Sequence, residues 1–323
     1  VKVLLVFAGT LLAVLIMVYA ERRVSAFMQG RLGPNRVGPQ GLLQPIADGI
    51  KFLMKEDIIP DGVNKPIYLL APVIMLIPAL MTFAVIPFGS TITLFDRDII
   101  LQVADVNIGI LYILALTSIG VYGIVLAGWA SNSKYTLIGG LRSSAQLISY
   151  ELALGLSVVS IILMSGSLRL NDIVADQQGY FLSWYVFKQP LAFLIFLIAT
   201  YAETNRLPFD LAEAEQELVG GYHTEYSSMK FAMFFMSEYA NMITAAALTV
   251  TLFFGGWDVP LLDEKSLGIW GAMLSVASFI LKMGFFLFLF IWIRWTFPRF
   301  RYDQLMKLGW KVLLPLSLVN IFI

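Results

Sequence analysis

Cysteine is absent from this 323-residue chain, and histidine occurs once. The first absence excludes a disulfide framework, a cysteine-ligated iron–sulfur cluster and a cysteine zinc site. The second excludes a bis-histidine haem held by this chain alone. Charge is scarce as well. Charged residues make up 14% of the chain, where a soluble protein carries about 25%. Lys and Arg balance Asp and Glu at 22 each, which removes the electrostatic basis for nucleic-acid binding. Internal repeats and low-complexity segments are lacking, so one domain over 1–323 is expected. Residues 1–20 lack the basic start and small-residue cleavage site of a signal peptide. No metal site and no resident cofactor are expected.

What the chain has in excess is hydrocarbon. Hydrophobic residues reach 59% and the mean hydropathy is +0.79, which predicts an all-α integral membrane protein. A span needs about 20 mostly apolar residues. Eight stretches qualify or come close: 1–20, 67–88, 106–129, 141–165, 181–201, 231–255, 267–293 and 310–323. The loops and helix ends around 21–66, 130–140, 202–230 and 294–309 hold sixteen Lys and Arg, against four in the opposite loops. By the positive-inside rule the basic loops face the cytoplasm, or a mitochondrial matrix, and both termini face outward.

The first loop carries a pattern of its own. Leu43, Ile46, Ile50 and Leu53 recur at helical spacing, with Gln44, Asp48, Lys51 and Lys55 on the other face. That predicts an amphipathic surface helix over about 43–56, either a plain connector or a functional element lying along the membrane. Before it, glycine and proline between Glu21 and Gly41 forbid a long helix.

Three ionisable side chains stand within the expected spans: Glu151, Glu238 and Lys282. An unpaired charge near the bilayer centre costs roughly 2.5–3.5 kcal/mol even on a lenient scale. Such groups face the bundle interior, where they serve either as a structural ion pair or as a proton path. A polar axis joining Lys282 to Glu151 and Glu238 is therefore expected. The connection at 202–230 adds Glu203, Asp210, Glu213, Glu215, Glu217 and Glu225, with only Arg206 and Lys230 to balance them. Glu213 and Glu217 stand at i and i+4, where like charges repel on a helix. The run is either a solvated face or a store of shared protons, since coupled acids titrate over a broad range. His223 is read as a loop residue.

With those residues in view, the sequence resembles the quinone-site membrane subunit of respiratory complex I, the proton-pumping NADH:quinone oxidoreductase, in its bacterial and its mitochondrial forms. The resemblance rests on ERR-x5-Q-x-R-x-GPNRVGPQGLLQPIADGIK (Glu21 to Lys51) and on AETNRLPFDLAEAEQELVGGYHTEYSSMKFAMFFMSEYANM (Ala202 to Met242). Further matches are SYE ending at Glu151, the helix carrying Lys282, and WIRWTFPRFRYDQLMKLGWK (Trp292 to Lys311). Ala212 stands where many relatives have proline after PFDL.

The resemblance implies a subunit of the NADH:quinone oxidoreductase in the bacterial inner membrane, or in the mitochondrial inner membrane if organellar. It implies that Glu21, Arg22, Arg23, Arg31, Asp48, Gly49 and Lys51 belong to the rim or lining of a tunnel for ubiquinone or menaquinone. Asp210, Glu213, Glu215, Glu217, Glu225, Glu151, Glu238 and Lys282 would carry protonation changes into the membrane arm, with Arg206 and Arg294 as supporting charge. The implied partners are lipid and other complex I subunits. Those are the peripheral quinone-site and terminal Fe-S cluster subunits, where FMN and Fe-S clusters reside, and the small membrane subunits leading to the antiporter-like ones. The nearer alternative is the homologous membrane component of a membrane-bound hydrogenase or formate hydrogenlyase. A stand-alone proton or cation transporter is more distant, because paired broken helices in two inverted halves are not visible.

Overall fold

A computed structural model describes residues 2–94, 97–210, 220–260, 262 and 268–322. Six helices among the described residues are long and apolar enough to cross a membrane. They are α1 (Lys2–Met28), α3 (Lys65–Met81, prolonged by a 3-10 turn to Val85), α4 (Gly109–Ala130), α5 (Lys134–Ser165), α9 (Ser228–Phe253) and α10 (Ile269–Thr296). Between α1 and α3 lies the short α2 (Gln44–Met54). The protein is a multi-pass membrane protein.

α1 displays the inverted logic of a lipid-facing helix. Val3, Leu4, Leu5, Phe7, Leu12 and Ile16 point outward, whereas Thr10, Glu21 and Ser25 are buried. Hydrocarbon cannot hydrogen-bond, so polar side chains turn toward the protein and leucines toward lipid. Small residues then let the inner helices approach closely. A methyl on Gly123 of α4 would lie 3.1 Å from the Ala71 carbonyl oxygen of α3. One on Gly139 of α5 would lie 2.8 Å from the Gly221 Cα.

Two expected spans take a different form. The stretch 181–201 breaks into a 3-10 turn (Phe181–Ser183), α7 (Tyr185–Lys188) and α8 (Pro190–Glu203), following the short α6 (Leu170–Ala175). Pro190 starts α8 and holds Gln189 out of the helical region, at φ −132° and ψ 62°. Fourteen residues span about 21 Å, short of the roughly 30 Å hydrocarbon thickness. The last element begins earlier than expected and is composite. It runs through α11 (Tyr302–Lys307), a π-helical turn (Leu308–Leu313) and α12 (Leu314–Ile321). α5 likewise starts at Lys134, well before 141, and absorbs residues expected as loop. Among the described residues, the departure from an all-α chain is a hairpin pairing β1 (Ile92–Leu94) with β2 (Arg97–Ile99).

The close approach at Gly139 is testable. Gly139→Ala forces its methyl against backbone, and overpacking of this kind loses about 1–3 kcal/mol. A lower thermal-unfolding midpoint in detergent is expected, while Gly155→Ala on the same helix, where a methyl meets nothing within 4 Å, leaves the midpoint unchanged or raised.

Candidate functional site

Between the helices lies a knot of buried charge assembled from four places in the chain. Glu21 comes from α1, Arg206 from the turn after α8, Glu238 and Tyr239 from α9, and Arg294 from α10. Arg206 Nη1 donates to Glu21 Oε1 and Oε2 at 3.1 and 3.2 Å, and its Nε lies 2.6 Å from Glu238 Oε1. Arg294 also pairs with Glu21, and the Tyr239 hydroxyl donates to Glu21 Oε2 at 2.8 Å. The Tyr239 ring covers the Arg206 guanidinium at 4.4 Å. Arg206 is only 4% exposed and Glu21 6%. Burial opposes the cation, but the Glu238 and Glu21 carboxylates hold the Arg206 pKa well above its ordinary value. Two acids and two bases balance here, as isolated charges at this depth could not.

Arg206 is placed by its neighbours. Gln146 of α5 donates to the carbonyls of Ala202 and Phe209 at 3.0 and 2.8 Å. Asn205, at φ 49°, donates to Ser143 at 3.1 Å. The turn after α8 is thus latched to α5, and the arginine points into the bundle. Asp210 at the end of this turn pairs with Arg299 at 3.5 Å.

Beside the knot lies a cavity of about 50 Å³ between α3, α4, α5, α8 and α9. Glu238 forms one wall and Glu203, the last residue of α8, another. Thr117, Thr200, Asn241 and Thr244 add to its polar lining. A water needs about 10–15 Å³ of such space and two or more polar partners, so the cavity is large and polar enough for several. The Thr117 hydroxyl bonds Glu203, and Glu151 lies within electrostatic reach of Glu203 while pairing with Ser118. Glu203 and Glu238 therefore share one polar interior, with Glu151 in electrostatic reach of Glu203. Glu203 is not among the relay residues expected from sequence, because it stands two residues past the apolar stretch that ends at 201. The i, i+3 repeat of Thr200 and Glu203 is the signal that could have found it.

The expected axis through Lys282 needs correction. The ammonium donates to the carbonyls of Asp258, Phe254 and Gly256 at 2.7, 2.9 and 3.1 Å, and it rests over the Trp184 ring at 4.6 Å. Gly255 and Gly256, at φ 67° and 55°, turn the chain so that these carbonyls converge past the end of α9. Sixteen residues separate Glu238 from Phe254, or about 24 Å along the helix. Lys282 therefore caps the far end of α9 and does not join the carboxylates at its middle. Burial pushes the Asp258 carboxyl up, against the pull of the Lys282 ammonium.

The rim residues gather at the other end. Arg22 pairs with Asp48 of α2, and Lys51 approaches the same carboxylate at 4.0 Å. Arg23 donates to the Gln40 carbonyl at 2.9 Å. Arg31 is exposed, and Gly49 faces open space in which a methyl would meet nothing within 4 Å. On α2 the apolar stripe of Ile46, Ile50 and Leu53 is exposed. α2 is tied to the start of α9 by Ser228 Oγ donating to the Phe52 carbonyl at 2.9 Å. The following segment is tied there by Lys230 pairing with Asp57 at 2.8 Å. Glu225 is half-buried, with its carbonyl accepting from the Tyr68 hydroxyl at 2.7 Å. Glu213, Glu215 and Glu217 lie outside the described residues. His223 is buried among the rings of Tyr222, Phe231 and Phe235, and burial pushes its pKa down to about 4, so it is neutral at pH 7.

Double-mutant cycles test this partition of charges. Arg206→Met and Glu238→Gln share an ion pair and are expected to couple by about 0.5–3 kcal/mol in unfolding free energy. Lys282→Met and Glu238→Gln are expected to add within about 0.5 kcal/mol. Coupling between Lys282 and Glu238 as large as that of the contact pair would restore the uncorrected axis.

The comparisons with known proteins agree along the whole chain. The family model described as NADH dehydrogenase matches residues 1–323. An NADH-quinone oxidoreductase subunit of Geobacter sulfurreducens is 58% identical over 333 residues, covering 100% of this chain and 92% of that protein. NADH-quinone oxidoreductase subunit 8 of Rhodothermus marinus is 55% identical, over 99% of this chain and 94% of its own length. An NADH-quinone oxidoreductase subunit of Flavobacterium johnsoniae is 50% identical over 100% of this chain and 93% of its own. With a family match over every residue and relatives at this identity, the chain belongs to the NADH dehydrogenase family.

Proposed function

We propose that this chain is the membrane subunit of an NADH:quinone oxidoreductase that admits quinone beside α1 and α2 and couples its reduction to proton movement through buried carboxylates. The names of its relatives favour that role over a place in a hydrogenase. The observation that carries the coupling is the pair of adjacent residues Glu21 and Arg22. Arg22 reaches outward to Asp48 on the exposed α2, while Glu21 reaches inward to Arg206. Arg206 in turn holds Glu238 at the cavity wall. One turn of α1 therefore joins a rim suited to a quinone to an interior suited to protons.

The exposed stripe of Ile46, Ile50 and Leu53 matches an isoprenoid tail or lipid, and Arg22, Arg23, Arg31, Asp48 and Lys51 form the polar rim above it. Gly49, with open space above its backbone, leaves the path clear. FMN and iron–sulfur clusters belong to partner subunits, since a chain without cysteine cannot ligate such clusters through thiolates. Reduction takes up two electrons from those partners and two protons. A charge change at the rim shifts the balance on Glu21, and the shared Arg206 transmits it to Glu238. Any displacement of Arg206 toward Glu21 leaves Glu238 less compensated and favours its protonation. Coupling requires the quinone states to differ in their interaction with these two arrangements.

Glu238 and Glu203 then pass protons across the cavity to Glu151, and Asp210, Glu213, Glu215, Glu217 and Glu225 supply further titratable groups. Lys282 acts here as a cap that holds the far end of α9. The basic loops lie in the cytoplasm and both termini on the opposite side. In a mitochondrion the same loops lie in the matrix. Partners are the peripheral quinone-site and terminal iron–sulfur cluster subunits, and the small membrane subunits that lead to the antiporter-like ones.

Glu238→Gln and Glu203→Gln remove a titratable proton while keeping shape. In the assembled complex each is expected to lower quinone-reductase turnover and proton pumping together by about tenfold or more, at normal subunit levels. Arg22→Ala is expected to raise the apparent KM for a short-chain quinone several-fold with smaller effect on kcat. Full pumping by both carboxylate variants at normal assembly rejects the relay.

A further inference from the structure

We propose that Thr200 is a positioning residue of this relay, its hydroxyl holding an ordered water that carries protons between Glu203 and Glu238. The proposal rests on the carboxylate relay above and adds a residue to it.

Two polar stripes face each other across the cavity. On α8, Thr200 stands three residues before Glu203, and on α9 Asn241 stands three residues after Glu238. Positions three apart share a helix face, and all four side chains line the same cavity. The two carboxylates have protein partners, Glu203 in Thr117 and Glu238 in Arg206. Thr200 differs from them. Its Oγ1 is fully buried, in a residue 2% exposed, and has no hydrogen-bond partner among the described protein groups. Its neighbour Thr204, by contrast, donates to the Thr200 carbonyl at 3.1 Å. A helical threonine can satisfy itself in that way against the preceding turn, and Thr200 does not.

A buried hydroxyl without a partner loses about 1–3 kcal/mol relative to a satisfied one. The cavity that Thr200 lines has room for water and offers the two to four polar partners a buried water requires. Thr200 therefore anchors a water in the cavity that the two carboxylates also line. The proton step balances without any further reactant. The water gives a proton to the Glu203 carboxylate oxygen as it takes one from the Glu238 carboxyl, and it is left as water.

Thr200→Val tests the assignment because it separates two accounts of the same hydroxyl. If Oγ1 is merely an unsatisfied group in a wall, replacing it with an isosteric methyl is neutral or stabilising. If it holds the water, the assembled complex keeps its level and thermal stability but loses turnover and pumping roughly fivefold, the worth of one net hydrogen bond. The pH profile of turnover then shifts, and Thr200→Ser restores most of the rate. A second variant acts through volume alone. Gly120 lines the same cavity and a methyl there meets no atom within 4 Å. Gly120→Ala fills water space while favouring the helix through its better propensity, and it is expected to slow pumping in a complex at least as stable. Full turnover, pumping and an unchanged pH profile in both Thr200→Val and Gly120→Ala overturn the inference. If Thr200→Val blocks assembly, a density map of the unsubstituted complex with waters resolved decides. Water within hydrogen-bond distance of Oγ1 supports the assignment, and a protein or lipid atom there, or a dry cavity, overturns it. A slowed Glu238→Gln beside a normal Thr200→Val rejects this inference alone, whereas a normal Glu238→Gln rejects the relay beneath it.

Discussion

A guanidinium taken out of water must be compensated on the spot, and around Arg206 the rest of this structure is arranged to do so. Moving an ion of this size into a low-dielectric interior carries a penalty of several kcal/mol even after relaxation. Compensation requires carboxylates from two different helices, Glu21 of α1 and Glu238 of α9. That in turn fixes how α1 and α9 sit against the turn after α8. Arg294 supplies the second positive charge, so α10 is drawn into the same register. Few of the apolar contacts in a bilayer are specific, because lipid tails are as apolar as leucine. The charged knot supplies the specificity that hydrophobic matching lacks here.

The same arrangement explains why a structural ion pair and a proton path are not competing readings of these residues. A balanced knot of two acids and two bases is stable only while its geometry holds. Arg206 divides its nitrogens between two carboxylates, and any shift toward one alters the protonation preference of the other. A pair locked by two exclusive partners would be stable and inert. A shared cation, placed between a helix that ends at the surface rim and a carboxylate that opens on a polar cavity, is stable and responsive. The ties of α2 and the segment after it to the start of α9, through Ser228 and Lys230, give the rim a second mechanical route to the same carboxylate.

Most of the architecture is legible in the residues because bilayer physics leaves few options. Long apolar runs mark six spans, four of them within a few residues at both ends, and the polar groups inside them turn inward. Three features are not legible, each for a physical reason. Pro190 cuts the fifth apolar run into two pieces, yet a hydropathy average does not register a missing N–H. Glu203 reads as a loop residue, because nothing local reveals that Gln146 and Ser143 fold the following turn back into the bundle. Lys282 is expected to find carboxylates, on the ground that a buried cation needs anions. Backbone carbonyls at a helix end carry partial negative charge as well, and two glycines in left-handed conformation aim three of them at the ammonium. Charge complementarity can be inferred from a residue list, but a carbonyl cage depends on backbone angles, which only the fold reveals.

The carbonyl cage around Lys282 also constrains the geometry of coupling. With Lys282 outside the carboxylate axis, α9 carries two separate polar stations about 24 Å apart, one shared with α1, α8 and α10 and one shared with the segment after its own end. The far station contributes backbone acceptors and a cation that are satisfied locally, so it anchors. The near station contributes side chains whose partners are divided, so it responds. A helix held firmly at one end and balanced near its middle transmits a displacement of the surface helix to Glu238 and not beyond it. In the proposed relay, protons that leave Glu238 therefore depart sideways, through the polar wall of α8 toward Glu203 and Glu151, and not along α9 toward Lys282. The direction of the path follows from which charges the backbone has already satisfied.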